Sequence, residues 1–268
     1  QYARILKTIT ALEKTSFGNK NIDEITSDEL QAYLNSLKHY SNSTIEKAHQ
    51  QLNLAFKTAI RKGYLIKDPM LNVIKPRSNK DNKIVRALTV EEQEKFTNWL
   101  INKPISQYKY RNVFLIQMFM GLRIGEALAL SIYDIDLQHK KMNIHRTLTT
   151  DECGQIIMGN KTKTYSGNRI LPIPDFLIPY IIEQMQIANK TENNEEHLLF
   201  KPKDSKYARR YNINTELHRV LKKEFGIEGI STHSLRHTYG TRCIESGMAP
   251  VVVQKLMGHK DVSITLNN

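Results

Sequence analysis

The sequence predicts an α+β protein, mostly α with a small antiparallel β-sheet, arranged as two helix-rich domains. Three observations predict it. Hydroxyl-x-x-carboxylate signals stand ahead of apolar residues at helical spacing, at Thr26–Glu29, Ser43–Glu46 and Thr89–Glu92. Two short apolar runs, Met142–Leu148 and Arg169–Ile173, lie near the turn-forming Gly154, Gly159 and Gly167 and read as strands. A polar, basic, proline-led stretch from Lys75 to Arg86 has linker composition.

In chain order, residues 1–75 read as a helical domain. Thr26-Ser27-Asp28-Glu29 opens one helix and Ser43-Thr44-Ile45-Glu46 another, each pairing a hydroxyl with a carboxylate to satisfy free amides at a helix start. After the second, Ile45, Leu52, Ala55, Phe56 and Ala59 recur at helical spacing, Gly63 is a stop, and Asp68-Pro69 closes the region. Residues 76–86 are the linker. Thr89-Val90-Glu91-Glu92 opens the second domain, 87–268, with apolar helices around Val113–Met120 and Phe176–Ala188. The chain is helical again over His233–Ser246 and, after the break at Gly247, over Pro250–Met257. A length of 268 residues suits two domains, each able to bury its own core.

Lys plus Arg outnumber Asp plus Glu by 39 to 27, a net charge of +12. Residues 1–86 carry 15 basic and 8 acidic residues and residues 87–268 carry 24 and 19, so both domains can face a polyanion. Nucleic acid is the first partner to test. Only Cys153 and Cys243 are present, which argues against a disulfide framework or a cysteine-rich zinc site and fits a reducing cytoplasm. No apolar run approaches the roughly 20 residues of a membrane span, so no membrane partner is expected. Gln1 is not a natural start, and sequence ahead of it is expected.

Four short segments carry chemistry, and their order matters more than any one of them. In Gly121-Leu122-Arg123-Ile124-Gly125-Glu126, an arginine between glycines at a helix junction can project into a cleft; standing alone it is a surface arginine. In Lys161-Thr162-Lys163-Thr164-Tyr165-Ser166-Gly167-Asn168-Arg169, a lysine on a turn between strands can reach a phosphate or donate a proton. In His233-Ser234-Leu235-Arg236-His237-Thr238, the i, i+3 spacing puts His233 and Arg236 on one helix face. Leu256-Met257-Gly258-His259 is the fourth.

Taken together, Gly-Leu-Arg-x-Gly-Glu, Lys-Thr-x-Ser-x-x-Arg, His-x-Leu-Arg-His-Thr and Leu-x-Gly-His resemble the tyrosine recombinase family in order and rough spacing, over residues 87–268. Residues 1–75 resemble that family's helical core-binding domain more weakly. The wording is most similar to integrases of conjugative transposons and phages of Gram-positive bacteria. The resemblance implies a C-shaped clamp on double-stranded DNA and strand exchange through a 3′-phosphotyrosyl intermediate, which inserts and excises a mobile element. No metal or nucleotide cofactor is then required, because bond energy is stored in the phosphotyrosine. It further implies four subunits on two paired sites and a monomer when free.

The implied roles suit the chemistry. A pentacovalent phosphorane needs donors that stay charged, and Arg123 and Arg236 match the family's two phosphate-clamping arginines. His259 matches a third donor. Lys163 matches the general acid for the departing 5′ oxygen, with Lys161 as rival, and His233 an accessory proton-transfer or phosphate-contacting group. Glu126 is expected to orient or buttress Arg123.

The family's nucleophilic tyrosine lies nine or ten residues after the last histidine. Nine residues on stands Asn268, and ten falls at position 269, where the tyrosine is expected; the 268 residues are expected to bind DNA without cutting it. Alternatives are a non-catalytic DNA-binding regulator on the same scaffold, a type IB topoisomerase, and a zinc site using His233, His237, His259 and Cys243. The absence of His-Glu-x-x-His and the fixed charge of Arg236 weaken the last.

Overall fold

The computed structural model describes residues 10–80, 86–151, 153–159 and 168–258. It divides into two compact units, one running to Lys83 and the other starting at Ile84. Among the described residues, no helix is long and apolar enough to cross a membrane.

In the first unit, α1 (Ser27–Ser36) opens as its sequence predicts. The amide of Glu29 donates to Thr26 Oγ1 (3.3 Å) and the amide of Thr26 donates back to Glu29 Oε2 (3.1 Å). The second helix, α2 (Asn42–Arg61), starts earlier than expected. Its N-cap is Ser41, not Ser43, because Ser41 Oγ already accepts from the amide of Thr44 at 3.3 Å. Glu46, read as the partner of Ser43, is instead drawn to Lys75 and to Gln50 Nε2.

At its far end α2 closes on Gly63, whose φ of +78° suits a residue without Cβ. The amide of Gly63 donates to Ile60 O and that of Tyr64 to Ala59 O, both at 2.9 Å, so two carbonyls that the helix leaves unpaired are satisfied. Leu52 and Phe56 pack with Leu30 and Leu34 of α1 and with Phe17, Met70 and Val73 into the core of this unit. Ala55, expected on the buried stripe, faces solvent, and Ala48 takes its place. Residues 78 and 79, within the stretch of linker composition, are bonded to this body: Ser78 N donates to Asn42 Oδ1 and Asn79 N to Lys38 O, both at 2.8 Å.

The second unit contains α3 (Val90–Ile101), α4 (Arg111–Met120), α5 (Ile124–Ala129), β1 (Ile135–Asp136), β2 (Lys141–Ile144), β3 (Thr147–Thr150), β4 (Ile156–Gly159), β5 (Arg169–Pro172), α6 (Ile178–Lys190), α7 (Arg210–Phe225), α8 (Thr232–Glu245) and α9 (Pro250–Met257). The expected fold class is therefore found: mostly helical, with small antiparallel sheets. Helix α4 is the centre of the core, buried along almost its whole surface and packed on α8. Its buried amide side chains tie it to neighbouring elements through their nitrogens, while Gln117 Oε1 has no partner among the described residues. Gln117 Nε2 donates to Thr232 O at 2.7 Å, which anchors the first turn of α8, and Asn112 Nδ2 donates to Gln184 Oε1 at 3.2 Å.

One expected strand, 142–148, is two. β2 lies between β1 and β5 in one antiparallel sheet, with Met142 opposite Leu171, whereas β3 pairs with β4 in a separate hairpin. The chain leaves one sheet for the other at His145 and Arg146, whose side chains both turn to Asp134. His145 Nε2 lies 2.7 Å from Asp134 Oδ1, and Arg146 Nη2 donates to Oδ2 at 3.1 Å. The helix expected from Phe176 starts at Ile178, after a single 3-10 turn over Asp175–Leu177. Helix α7 was not anticipated, although Ile213, Leu217, Val220 and Leu221 form its buried stripe at helical spacing.

Candidate functional site

The chain turns sharply where α4 meets α5. Gly121 ends α4 with φ +62°, a left-handed conformation, and a Cβ there would stand 2.3 Å from Cδ1 of Tyr239. Two residues later Arg123 begins α5, with its amide donating to Glu126 Oε2 at 2.9 Å. Gly125 lets α5 press on the β3 hairpin: a Cβ would meet the Leu148 carbonyl and Thr147 Oγ1 at 2.7 Å each. The glycines flanking Arg123 therefore set its position through close packing.

Glu126 is the hub of the site. Its side chain is 1 % exposed and is met by three arginines, Arg123 from the same turn and Arg169 and Arg236 from distant parts of the sequence. Arg123 Nη1 donates to Oε1 at 2.8 Å. Arg169 grips both oxygens, with Nη2 at 2.8 Å from Oε2 and Nη1 at 3.2 Å from Oε1. Arg236 Nη1 stands 3.6 Å from Oε2. Burial alone would raise the Glu126 carboxyl, but the hydrogen bonds and charge of Arg169, with the charges of Arg236 and Arg123, outweigh it and hold the group at about 2. One carboxylate thus faces three guanidiniums, and positive charge remains in excess.

The same arginines meet the carboxyl end of α9. Arg169 Nε donates to Leu256 O at 2.7 Å, Arg236 Nη2 donates to Met257 O, and Arg123 Nη2 donates to Gly258 O at 3.0 Å. The last carbonyls of a helix have no partner within it and carry partial negative charge, so a cluster of guanidiniums is a favourable place for them. Gly258, at φ +64°, ends the helix one residue before His259. Close approach of α9 to α8 is permitted by Gly240, where a Cβ would stand 2.8 Å from the Met257 sulfur.

Arg236 itself is buried in the middle of α8, with Nη1 donating to Gly121 O at 2.8 Å. Its Nε is buried with no hydrogen-bond partner among the described residues. Burial first, and then the charge of Arg123, lower its pKa to about 9, which leaves it protonated at neutral pH. His233, one turn earlier on α8, is lowered from its usual value by desolvation and then by Arg236 and Arg123, so it is neutral near pH 7. His237 packs edge-on against it, ring centroids 4.4 Å apart. Burial and then His233 and Arg236 bring His237 to about 4.

Of the expected site residues, Arg123, Glu126, His233 and Arg236 are thus brought into one cluster. Lys163, its rival Lys161, and His259 lie outside the described residues. Arg169 had no role assigned from sequence. Its signal was an arginine opening an otherwise apolar strand that ends in proline. Tyr239, inside the histidine–arginine helix, is not available as a nucleophile: burial and then the neighbouring Cys243 raise its phenol, and its ring fills the space beside Gly121. No group of three or more potential metal ligands is found among the described residues.

Residues 86–268 match the sequence profile of the phage integrase family, and residues 1–78 match the phage integrase SAM-like domain. The chain belongs to the phage integrase family. This integrase-family chain is 29 % identical to a tyrosine recombinase XerC-like protein of Caldanaerobacter subterraneus, over 92 % of its own length and 67 % of the relative's. It is 28 % identical to the transposase from transposon Tn916 of Enterococcus faecalis, over 96 % of its own length and 65 % of that protein's. The chain therefore spans about two thirds of the length of these relatives. In fold it is similar to the Tn1549 transposon integrase solved with transposon right end DNA, with a TM-score of 0.82, 22 % identity, and 98 % of this chain and 86 % of that one covered. A lambda integrase dimer bound to a core site matches with a TM-score of 0.69 at 18 % identity, covering 98 % and 86 % of the two chains.

Proposed function

We propose that this chain is the DNA-binding and catalytic part of a site-specific recombinase that inserts and excises a mobile element. The observation that carries the reading is the convergence of Arg123, Arg169 and Arg236 on the single carboxylate of Glu126, with His233 alongside. Such a cluster keeps more positive charge than its own carboxylate neutralises, and preorganised guanidiniums are suited to a phosphate whose charge grows in the transition state.

Arg123 and Arg236 hold the scissile phosphate, and His259 adds a third donor. Lys163 protonates the leaving 5′ oxygen, helped by surrounding cations that favour release of its proton. His233 contacts the phosphate or relays a proton. Glu126 buttresses the arginines. The family relation and the similarity in fold to integrases solved on DNA support double-stranded DNA as partner. In this reading residues 1–75 are the core-binding domain, 76–86 a linker and 87–268 the catalytic domain, acting on the duplex in the bacterial cytoplasm. A monomer in free solution assembles as a tetramer on paired sites, without a metal or nucleotide cofactor.

The test uses a polypeptide carried past residue 268 to a tyrosine, incubated in EDTA with a nicked duplex bearing the element's end. A covalent protein–DNA adduct that disappears when the tyrosine is changed to phenylalanine is expected. Specific binding without an adduct would favour a non-catalytic regulator.

A further inference from the structure

Among the described residues, Arg169 makes three side-chain hydrogen bonds in the cluster, against two each for Arg123 and Arg236, and spends its whole guanidinium on protein acceptors. It donates twice to Glu126 and once to Leu256 O, using all three nitrogens of its guanidinium. Arg123 gives Glu126 one side-chain hydrogen bond, and Arg236 stays at 3.6 Å. Arg169 is therefore the principal counter-ion of the buried carboxylate. A planar fork fits a carboxylate in this bidentate way, and an ammonium does not.

Resting on the recombinase reading above, we propose that Arg169 is a positioning residue of the phosphate site. It takes up the charge of Glu126 so that Arg123 and Arg236 keep theirs for the phosphate, and it fixes the carboxyl end of α9. Three arginines against one carboxylate leave two positive charges unneutralised; removing Arg169 leaves one, with Glu126 now fully paired to the clamp. Arg169 also opens β5, directly after the segment that holds Lys161 and Lys163, while Leu256 stands three residues before His259. One buried side chain thus ties the strand that follows the lysines to the helix that precedes the histidine.

The test titrates inorganic phosphate against the 268-residue chain and follows the His233 ring resonance by NMR, with duplex binding measured in parallel. Arg169→Met is expected to weaken phosphate binding on the order of tenfold, the scale of losing one nearby charge at a partly solvated site. Duplex affinity, spread over many surface phosphates, is expected to change by less than about threefold. Arg169→Lys is expected to fall between wild type and Arg169→Met, since it keeps the charge and loses the fork.

The deciding variant is Arg169→Met combined with Glu126→Gln, which removes the carboxylate that would neutralise the clamp. Recovery of phosphate affinity toward the wild-type value supports the inference; a double variant as weak as the single overturns it. Should Arg169→Met fail to fold, the double variant and Arg169→Lys carry the comparison. Wild type that binds duplex but no phosphate overturns the inference alone, whereas wild type that binds neither overturns the recombinase reading as well.

Discussion

Replacing Glu126 by glutamine removes the charge of the hub while nearly keeping its shape. Folded, the carboxyl titrates at about 2 against an ordinary value of 4.5. At about 1.4 kcal/mol for each tenfold change, the ionised carboxylate contributes roughly 3 kcal/mol to the stability of the second unit. This agrees with the ~3–5 kcal/mol lost when one member of a buried ion pair is removed. The share from Arg123, whose side chain is 42 % exposed, is the part most weakened by solvent.

Because the folded pKa lies below the unfolded one, the contribution is complete above about pH 4.5 and fades as the pH falls toward 2. Trp99, the one tryptophan in the chain, stacks edge-on with Tyr108 in the second unit and reports that unit's unfolding. Tryptophan-detected unfolding at pH 7 should show the glutamine variant less stable by roughly 3 kcal/mol, or by roughly 6–12 °C in Tm. The gap should narrow between pH 4.5 and 2. A variant within about 1 kcal/mol of wild type at pH 7, or a gap that does not change with pH, would refute the buried hub.

Three further outcomes are expected. Duplex affinity should fall about a thousandfold or more between 50 and 200 mM salt if roughly 6–10 phosphates are contacted, and a flat response in a binding titration contradicts the polyanion-facing surface. Gly121→Ala should cost roughly 2–4 kcal/mol by tryptophan-detected denaturation, combining left-handed backbone strain with overpacking against Tyr239. In the first unit, Ser41→Ala should cost about 1 kcal/mol by circular dichroism and Ser43→Ala less than about half of that, since only Ser41 caps α2; equal losses would return the cap to Ser43.

Where local chemistry and tertiary packing agree, the sequence is readable. Thr26 and Thr89 cap their helices as the hydroxyl-x-x-carboxylate pattern predicts, and Gly63 ends α2. The misplaced start of α2 arose because two serines compete, and the one lacking a glutamate three residues on made the bond. The split of 142–148 escaped because Met142, Ile144 and Leu148 share one parity across it; His145 and Arg146, at the break, bond Asp134, which lies too far back in sequence to enter a strand pattern. Helix α7 carries an apolar stripe, Ile213, Leu217, Val220 and Leu221, that is readable in the sequence at helical spacing.

The site shows the same division. Arg123, Glu126, His233 and Arg236 were legible as candidates through family wording, and their grouping became visible only once α4, α5 and α8 were packed. Arg169 was visible as a letter in a motif, but its work depends on Glu126 and on a carbonyl at the end of α9, neither of which sequence spacing brings near it.

The most direct test of the phosphate clamp compares cutting with binding in an Arg123→Ala variant of the polypeptide carried past residue 268. Arg123 suits the purpose because its partly exposed side chain can be removed without opening the core. Single-turnover adduct formation on a nicked duplex should slow by about a hundredfold to a thousandfold, the usual effect of losing one preorganised charge donor, with duplex affinity held within about threefold. A near-normal rate of adduct formation, or a rate loss fully matched by lost affinity, would contradict the account.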